Sequence, residues 1–299
     1  MKKWNECVLI DEESLSNKTI SQAFQKYKNK IGRDPEHNVW YDLHIKDCFG
    51  IDADVIDYYY GDKSFETLAD RHFKKKMPNL SKRNLIRNKE VFYTYLNGLD
   101  KFKGSSILFV GGGPTTNKVK DWEKTKTDYV WSCNHFYLHP KLSEMNVDFI
   151  TLGNEVDLSK NNKQLTNYMK IHNTLCVFED IRNNEIEFES RFPERCFYMY
   201  NKYRSKIGTV PRILILAAVL GVKEISFVGM DGLNKDGFAN HSFELGKAPR
   251  GTRGYDLFRR QYVVFWDYML NHLNMGIKFH NLGEGHIENM TTSISSQEF

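Results

Sequence analysis

Glycine, amide and histidine residues recur in the second part of this chain, each group standing just beyond a short apolar run. The first is Gly111-Gly112-Gly113-Pro114-Thr115-Thr116, which follows "SSILFV". A strand-to-helix turn needs one glycine or two. Three in a row, with the Thr115 hydroxyl beside them, lead us to expect a backbone bared for the approach of a phosphate or nucleoside. Thr116 stands where the third glycine of G-x-G-x-x-G would fall, and no Lys-Ser or Lys-Thr follows, so the run is not a P-loop. Asn134, in "WSCNHFY", carries an amide that can donate and accept at once, which suits a pyrimidine edge or a ribose hydroxyl. Asn154, in "TLGNE", repeats that logic. Gly208 and Thr209 precede the apolar run "PRILILAAVLGV", at a helix start where unpaired N–H groups attract anions and a threonine also serves as a cap.

Asp231 closes "EISFVGMD" and can serve as a base, a ribose ligand or a turn former. His241 lies in the long glycine-rich connection 232–254, whose length matches that of a lid. Histidine titrates nearest neutral pH, which makes His241 the first candidate for a general base and His286, in "GEGHIEN", its rival. Lys247, Arg250, Arg253 and Tyr255, further along the same loop, would neutralise a departing phosphate.

Several elements must position these groups. Short β-rich runs ("SSILFV", "DYVWSC", "VDFITL", "TLCVFED", "RCFYMY", "EISFVG", "IKFHNLG") alternate with helical segments from residue 104 onward. That alternation predicts an α/β, Rossmann-like architecture, a mostly parallel sheet flanked by helices, with ligands outside the carboxyl ends of the strands. Residues 1–103 are polar, aromatic and poor in glycine. They predict a mostly helical N-terminal extension, with helices over 14–32, over "SFETLADRHFKKKM" and over 81–99, where Leu85, Val91, Phe92, Tyr95 and Leu96 share one side. The division expected is therefore 1–103 as extension and 104–299 as the catalytic domain.

The totals exclude more than they assign. No stretch approaches the roughly 20 consecutive apolar residues of a membrane span, and the start has no apolar core for a signal peptide. A cytoplasmic location is the default expectation. Five scattered cysteines form no C-x-x-C pair, which argues against a zinc site. Asp52-Ala53-Asp54 spells a metal-binding motif, but it stands in the N-terminal region far from any glycine turn, where chance accounts for it. We expect no metal and no cofactor. The net charge of +4 is too mild to declare a nucleic-acid binder. Two basic clusters, 71–89 and 247–260, could meet DNA phosphates; for the first, a solvated helix face is the simpler account.

In their order, "ILFVGGGPT", "SCNHFY", "FITLGN", "IGTVPRILILAAVLGVKEISFVGMD" and "HNLGEGHIEN" resemble the bacterial CMP-sialic acid-dependent sialyltransferases of the lipooligosaccharide type. There a G-N-G-P turn, a C-N-x-F-Y segment and an I-T-S-G helix start surround the cytidine nucleotide. The chain is similar as well to the related motility-accessory-factor and MptE-like families. The resemblance covers roughly residues 105–290, with Gly112 in place of an asparagine and Val210-Pro211 in place of serine and glycine.

What it implies is a Rossmann-like nucleotide-sugar domain and a metal-independent glycosyltransferase. A CMP-linked sugar would pass to an acceptor hydroxyl on a glycan or other molecule, with a histidine as base. Gly112, Gly113, Asn134, Asn154, Gly208 and Thr209 would hold the donor, joined by Gly111, Thr115 and Glu284. One alternative is a glycosyltransferase acting on a hydroxylated base in DNA with a UDP-sugar. Another is a pterin diphosphokinase-like transferase using ATP and magnesium, which would draw on Glu155, Asp231 and Glu284. A non-enzymatic binding module is the remaining reading.

Overall fold

The computed structural model describes residues 8–10, 58–60, 62–76, 84–153, 155–179, 183–204, 209–231, 241–244, 262, 265–284, 286 and 289–290. In chain order the elements are β1 (Val8–Ile10), β2 (Tyr58–Tyr60), α1 (Asp62–Lys76), β3 (Leu85–Arg87), β4 (Val91–Thr94), β5 (Ser106–Val110), α2 (Thr115–Lys118) and β6 (Tyr129–Cys133). They continue with α3 (Pro140–Glu144), β7 (Phe149–Thr151), α4 (Lys163–Ile171), β8 (Leu175–Phe178), α5 (Asn183–Arg191), β9 (Cys196–Asn201) and β10 (Tyr203–Arg204). The last are α6 (Val210–Val219), β11 (Glu224–Val228), a π-helical turn (Tyr268–Leu273), β12 (Lys278–Asn281) and β13 (Asn289–Met290).

Ten of the strands form one sheet in the order β13-β12-β11-β5-β6-β7-β8-β9-β4-β3. From β12 to β9 every neighbouring pair is parallel, and the pairs at both ends are antiparallel. This is the expected α/β, Rossmann-like, mostly parallel arrangement. β8 and β9 are buried at every residue, as strands covered on both faces must be. The chain moves outward from β5 through β6, β7, β8 and β9. It then returns through α6 to lay β11 against the other side of β5. The order therefore reverses between β5 and β11, and the crevice beyond that reversal is where such sheets hold ligands.

α6 is apolar nearly all round and buried from Ile213 to Ala218, as a helix packed within the core must be. Pro211 sits in its first turn, where the missing N–H costs nothing. Beneath the sheet Trp131 stacks on Phe149 at 4.2 Å, and Phe102 meets Trp131 edge-on at 4.9 Å.

The segment 81–99 departs from expectation: it contains the hairpin β3–β4, not a helix. Asn88 Oδ1 accepts from the Glu90 N–H at 2.9 Å, an Asx turn that reverses the chain. β4 then pairs with β9, burying Val91 and Phe92. Ile86, Val91, Phe92, Tyr93 and Thr94 are β-branched or aromatic, and an available sheet edge overrides their helix-like spacing. The main sheet thus draws on residues on both sides of position 103. α1 forms where a helix was expected. The helix expected over 14–32 lies outside the described residues, as does Asp52-Ala53-Asp54. A second, three-stranded sheet runs β1-β2-β10.

Candidate active site

At the reversal point the ends of β5 and β11 are laced together. The Gly111 N–H donates to Val228 O at 2.8 Å, and the Gly113 N–H to Gly229 O at 2.9 Å. Gly229, at φ 74°, turns its own N–H onto Thr115 Oγ1 at 2.9 Å. Asp231 then accepts from the Thr115 N–H at 2.8 Å and from the Thr115 hydroxyl at 2.5 Å.

This lacing explains the three glycines. A Cβ on Gly111 would stand 2.4 Å from Gly229 O, and one on Gly113 would stand 2.4 Å from Asp231 Oδ2. A Cβ on Gly112 would stand 2.3 Å from Cε1 and 2.4 Å from Nε2 of His241. The space left by the missing side chains is filled by the protein itself, where close approach of a ligand had been expected. Gly112 is the seat of the His241 ring.

Two further bonds hold the short segment 241–244 on that seat. The Ser242 N–H donates to Gly112 O at 2.8 Å, and its hydroxyl donates to Gly113 O at 2.7 Å. His241 Nδ1 accepts from the Phe243 N–H at 3.3 Å and lies 3.9 Å from Glu244 Oε2. The same Glu244 oxygen is 3.2 Å from His135 Nδ1, close enough for an ion pair but without hydrogen-bond geometry. Of these three side chains His241 is the most open, at 28% exposed against 21% for Glu244 and 11% for His135.

A second polar group adjoins it at the ends of β6 and β7. Asn134 adopts φ 51°, a left-handed conformation that asparagine tolerates. Its Oδ1 accepts from the Gly153 N–H at 2.8 Å, and its Nδ2 donates to Glu155 Oε1 at 2.7 Å. Thr209 makes no side-chain cap on α6. Its hydroxyl instead meets the thiol of Cys133, and its Cγ2 would lie 3.6 Å from a Cβ on Gly153. Burial pushes the Cys133 thiol up to about 12, the Glu155 charge adds to this, and the Thr209 hydrogen bond partly offsets it. Such a thiol stays protonated and inert as a nucleophile. Tyr262 is buried as well, and burial pushes its phenol up, with the Asp231 charge adding to the effect.

Electrostatics separate the remaining candidates. Burial raises the Asp231 carboxyl above its ordinary range; the Thr115 hydroxyl and N–H pull it back, and Glu284 pushes it further up. His286, the rival base, is partly buried, with its Nε2 enclosed. Its Nδ1 accepts from Trp266 Nε1 at 3.1 Å, and burial drives its imidazole down to about 4 against a hydrogen bond to the Met230 backbone. An imidazole so enclosed cannot reach an acceptor.

Gly111, Gly112, Gly113, Thr115, Asp231 and His241 thus come together, with Glu284 close enough to act on Asp231 and Asn134 and Thr209 in the adjoining group. Asn154, Gly208, Lys247, Arg250, Arg253, Tyr255 and the cluster 247–260 lie outside the described residues. In the other basic cluster, Arg87 is already paired with Asp70 at 2.6 Å and lies over the Phe92 ring at 5.1 Å. Sequence reasoning placed His135 at a strand end beside Asn134 without giving it a role, and missed Glu244. The available signals were slight: His135 follows Asn134 beyond a strand, and Glu244 falls three residues after His241.

No grouping of three or more His, Cys, Asp or Glu side chains that could hold a metal ion occurs among the described residues. No helix among them is long and apolar enough to cross a membrane. A cavity of about 720 Å³ lies at the opposite, amino edge of the sheet, lined by Tyr95, Lys101, Leu175, Arg191 and Arg195 among others. Its arginines are occupied with backbone carbonyls, Arg191 with Leu158 and Arg195 with Met169 and His172.

No family model matches the chain, and no curated protein matches it. Among solved structures it is similar to the monofunctional alpha-2,3-sialyltransferase Cst-I from Campylobacter jejuni, at 14% identity over 62% of this chain and 78% of that one, with a TM-score of 0.45. It is similar also to the sialyltransferase CstII from Campylobacter jejuni in complex with cytidine-5'-monophosphate, at 15% identity over 61% and 81% of the two chains, with a TM-score of 0.40. A third is the sialyltransferase CST-II in complex with trisaccharide acceptor and CMP, at 14% identity over 60% and 81%, with a TM-score of 0.41.

Proposed function

We propose that this protein is a glycosyltransferase that moves a sugar from a nucleotide-activated donor, with a CMP-linked sugar as first choice, to an acceptor hydroxyl. The observation that carries this reading is the His241 ring, part-exposed on Gly112 at the reversal point of the sheet, with a carboxylate on its Nδ1 side. In the transfer, His241 Nε2 takes the proton of the acceptor hydroxyl as the acceptor oxygen bonds to the anomeric carbon. The bond from that carbon to the donor phosphate breaks, and its electron pair leaves with the nucleotide. Asn134, Asn154, Gly208 and Thr209 would hold the nucleoside. Lys247, Arg250, Arg253 and Tyr255 would meet the phosphate. Asp231 acts here as a brace between two turns, since Thr115 engages both of its oxygens. That engagement, with Glu155 committed to Asn134, disfavours the magnesium-dependent pterin reading, which needs those carboxylates for metal.

A panel of CMP-, UDP- and GDP-sugars, assayed for hydrolysis and for binding by calorimetry, tests the proposal. Turnover of a CMP-sugar is the expected result. Neither binding nor turnover with any donor would overturn it, and EDTA-sensitive consumption of ATP would establish diphosphate transfer instead.

A further inference from the structure

Two imidazoles face one carboxylate oxygen across the glycine turn. Glu244 Oε2 lies 3.2 Å from His135 Nδ1 and 3.9 Å from His241 Nδ1. His135 is delivered by the end of β6, while His241 and Glu244 come from the segment pinned to Gly112 and Gly113 by Ser242. Phe243, buried between them in the chain, sets its ring 5.6 Å from that of His241 and 6.1 Å from that of His139. The two imidazoles thus approach Glu244 from different elements, and the oxygen they share stands nearer to His135.

The consequence concerns where His241 keeps its proton. A neutral imidazole carries one N–H, and the hydrogen bond at one nitrogen decides which nitrogen has it. With Nδ1 accepting from the Phe243 N–H, the proton sits on Nε2, and Nε2 cannot act as a base. With Nδ1–H donating to Glu244, the lone pair is on Nε2, over Gly112. The two arrangements compete for the same nitrogen, and the difference between them is about an ångström of travel by Oε2 away from His135.

We propose that Glu244 is a positioning residue shared between His135 and His241, and that its move from the first imidazole to the second selects the His241 tautomer able to take a proton. The proposal rests on the reading of His241 as the base of the transferase. His135 is a competitor for the carboxylate: it parks Glu244 when no acceptor is engaged. This gives the two neighbours of His241 opposite effects, which a purely structural contact would not.

The test is long-range proton–nitrogen NMR of the full-length protein labelled with nitrogen-15 histidine, with signals assigned from the His241→Gln and His135→Gln spectra. Removing the carboxylate in Glu244→Ala is expected to leave Phe243 as the partner of Nδ1 and move His241 toward the Nε2–H form. Removing the competitor in His135→Phe is expected to move it the other way, toward Nδ1–H. On the donor that the panel identifies, Glu244→Ala is expected to lower kcat on the order of a hundredfold at unchanged donor KM, with partial rescue by Glu244→Asp. A His241 tautomer that moves in neither variant, or in the same direction in both, overturns the proposal. Should one variant fail to fold, the other still carries the sign. Opposite tautomer shifts in a protein that turns over no nucleotide-sugar would uphold the role of Glu244 and sink the transferase reading alone.

Discussion

Glu90 and Asp231 are both enclosed carboxylates at the carboxyl edge of the same sheet, yet the fold treats them in opposite ways. Glu90, just before β4, sits at the far end. Burial would raise its carboxyl, but hydrogen bonds from His272 and Tyr268 and the charge of Lys202 outweigh burial and hold it below the ordinary range. Tyr268 donates to Oε2 at 2.7 Å, and His272 Nε2 is 3.5 Å from Oε1. Asp231, at the reversal point, is raised by burial, because its hydrogen-bond partners are the neutral hydroxyl and N–H of Thr115 and the charge of Lys118 offsets burial least of all. Where several side-chain donors and a lysine charge converge on a carboxylate, burial makes a strut, here fastening the β3–β4 hairpin to the C-terminal helical turn. Where neutral dipoles supply the hydrogen bonds, the charge is held at a cost and rigidity comes from backbone lacing instead. The candidate active site is of the second kind.

The sharpest way to break this contrast is a pair of histidine substitutions. His241→Ala should lower turnover about 10²–10⁴-fold, the usual worth of a general base, with little loss of stability because the ring is part-exposed. His272→Ala should do the reverse: turnover kept, and about 1–3 kcal/mol of stability lost as Glu90 is left with one donor fewer. Donor hydrolysis and urea denaturation of both variants check this, and an inactive His272→Ala would collapse the distinction.

The carboxylates themselves come next. Glu90→Gln should cost about 1–3 kcal/mol at neutral pH. The folded carboxyl lies below its ordinary 4.5, so its contribution is present above that value and fades as pH falls through the folded one. The gap between wild type and variant should therefore close in acid, as read by denaturation midpoints across pH 3–7 (a range of about that width suffices).

The smallest effect belongs to Asp231→Asn, under about 1 kcal/mol at neutral pH. Here the folded carboxyl is raised above its ordinary 3.8, so its contribution is present below that value and is lost as pH rises. The same denaturation series should show this gap widening in acid while that of Glu90→Gln narrows. Parallel trends would mean that the two centres are not different in kind.

Much of the frame was legible in the residues. Each parallel strand from β5 to β12 falls on an apolar run that glycine, amide or charged residues close, and α6 begins where Thr209 and Pro211 announce it. The hairpin β3–β4 was not legible as such: its apolar residues fit a helical face as well as a strand, and only the free edge of β9 decides between them. His286 shows the converse limit. By residue type it rivals His241, and what disqualifies it is the Trp266 bond to its Nδ1 and the enclosure of its Nε2. The pairing of His135 with Glu244 was not legible: they stand 1 and 3 positions from Asn134 and His241, and nothing local says that those two separate turns will meet.

From β5 onward the sequence by itself determined where the parallel strands fall and which side chains stand just past them, because hydrophobic periodicity and Gly/Pro stops act within a few residues. Tertiary structure alone decided which of those side chains face each other. The reversal of strand order between β5 and β11 brings Thr115 onto Asp231 across 116 positions. It lets Gly112 receive the His241 ring, and it turns three glycines that suggested an open cradle into the closely packed floor of the site. Contacts at such separations follow from strand order and register, which no local pattern in the chain encodes.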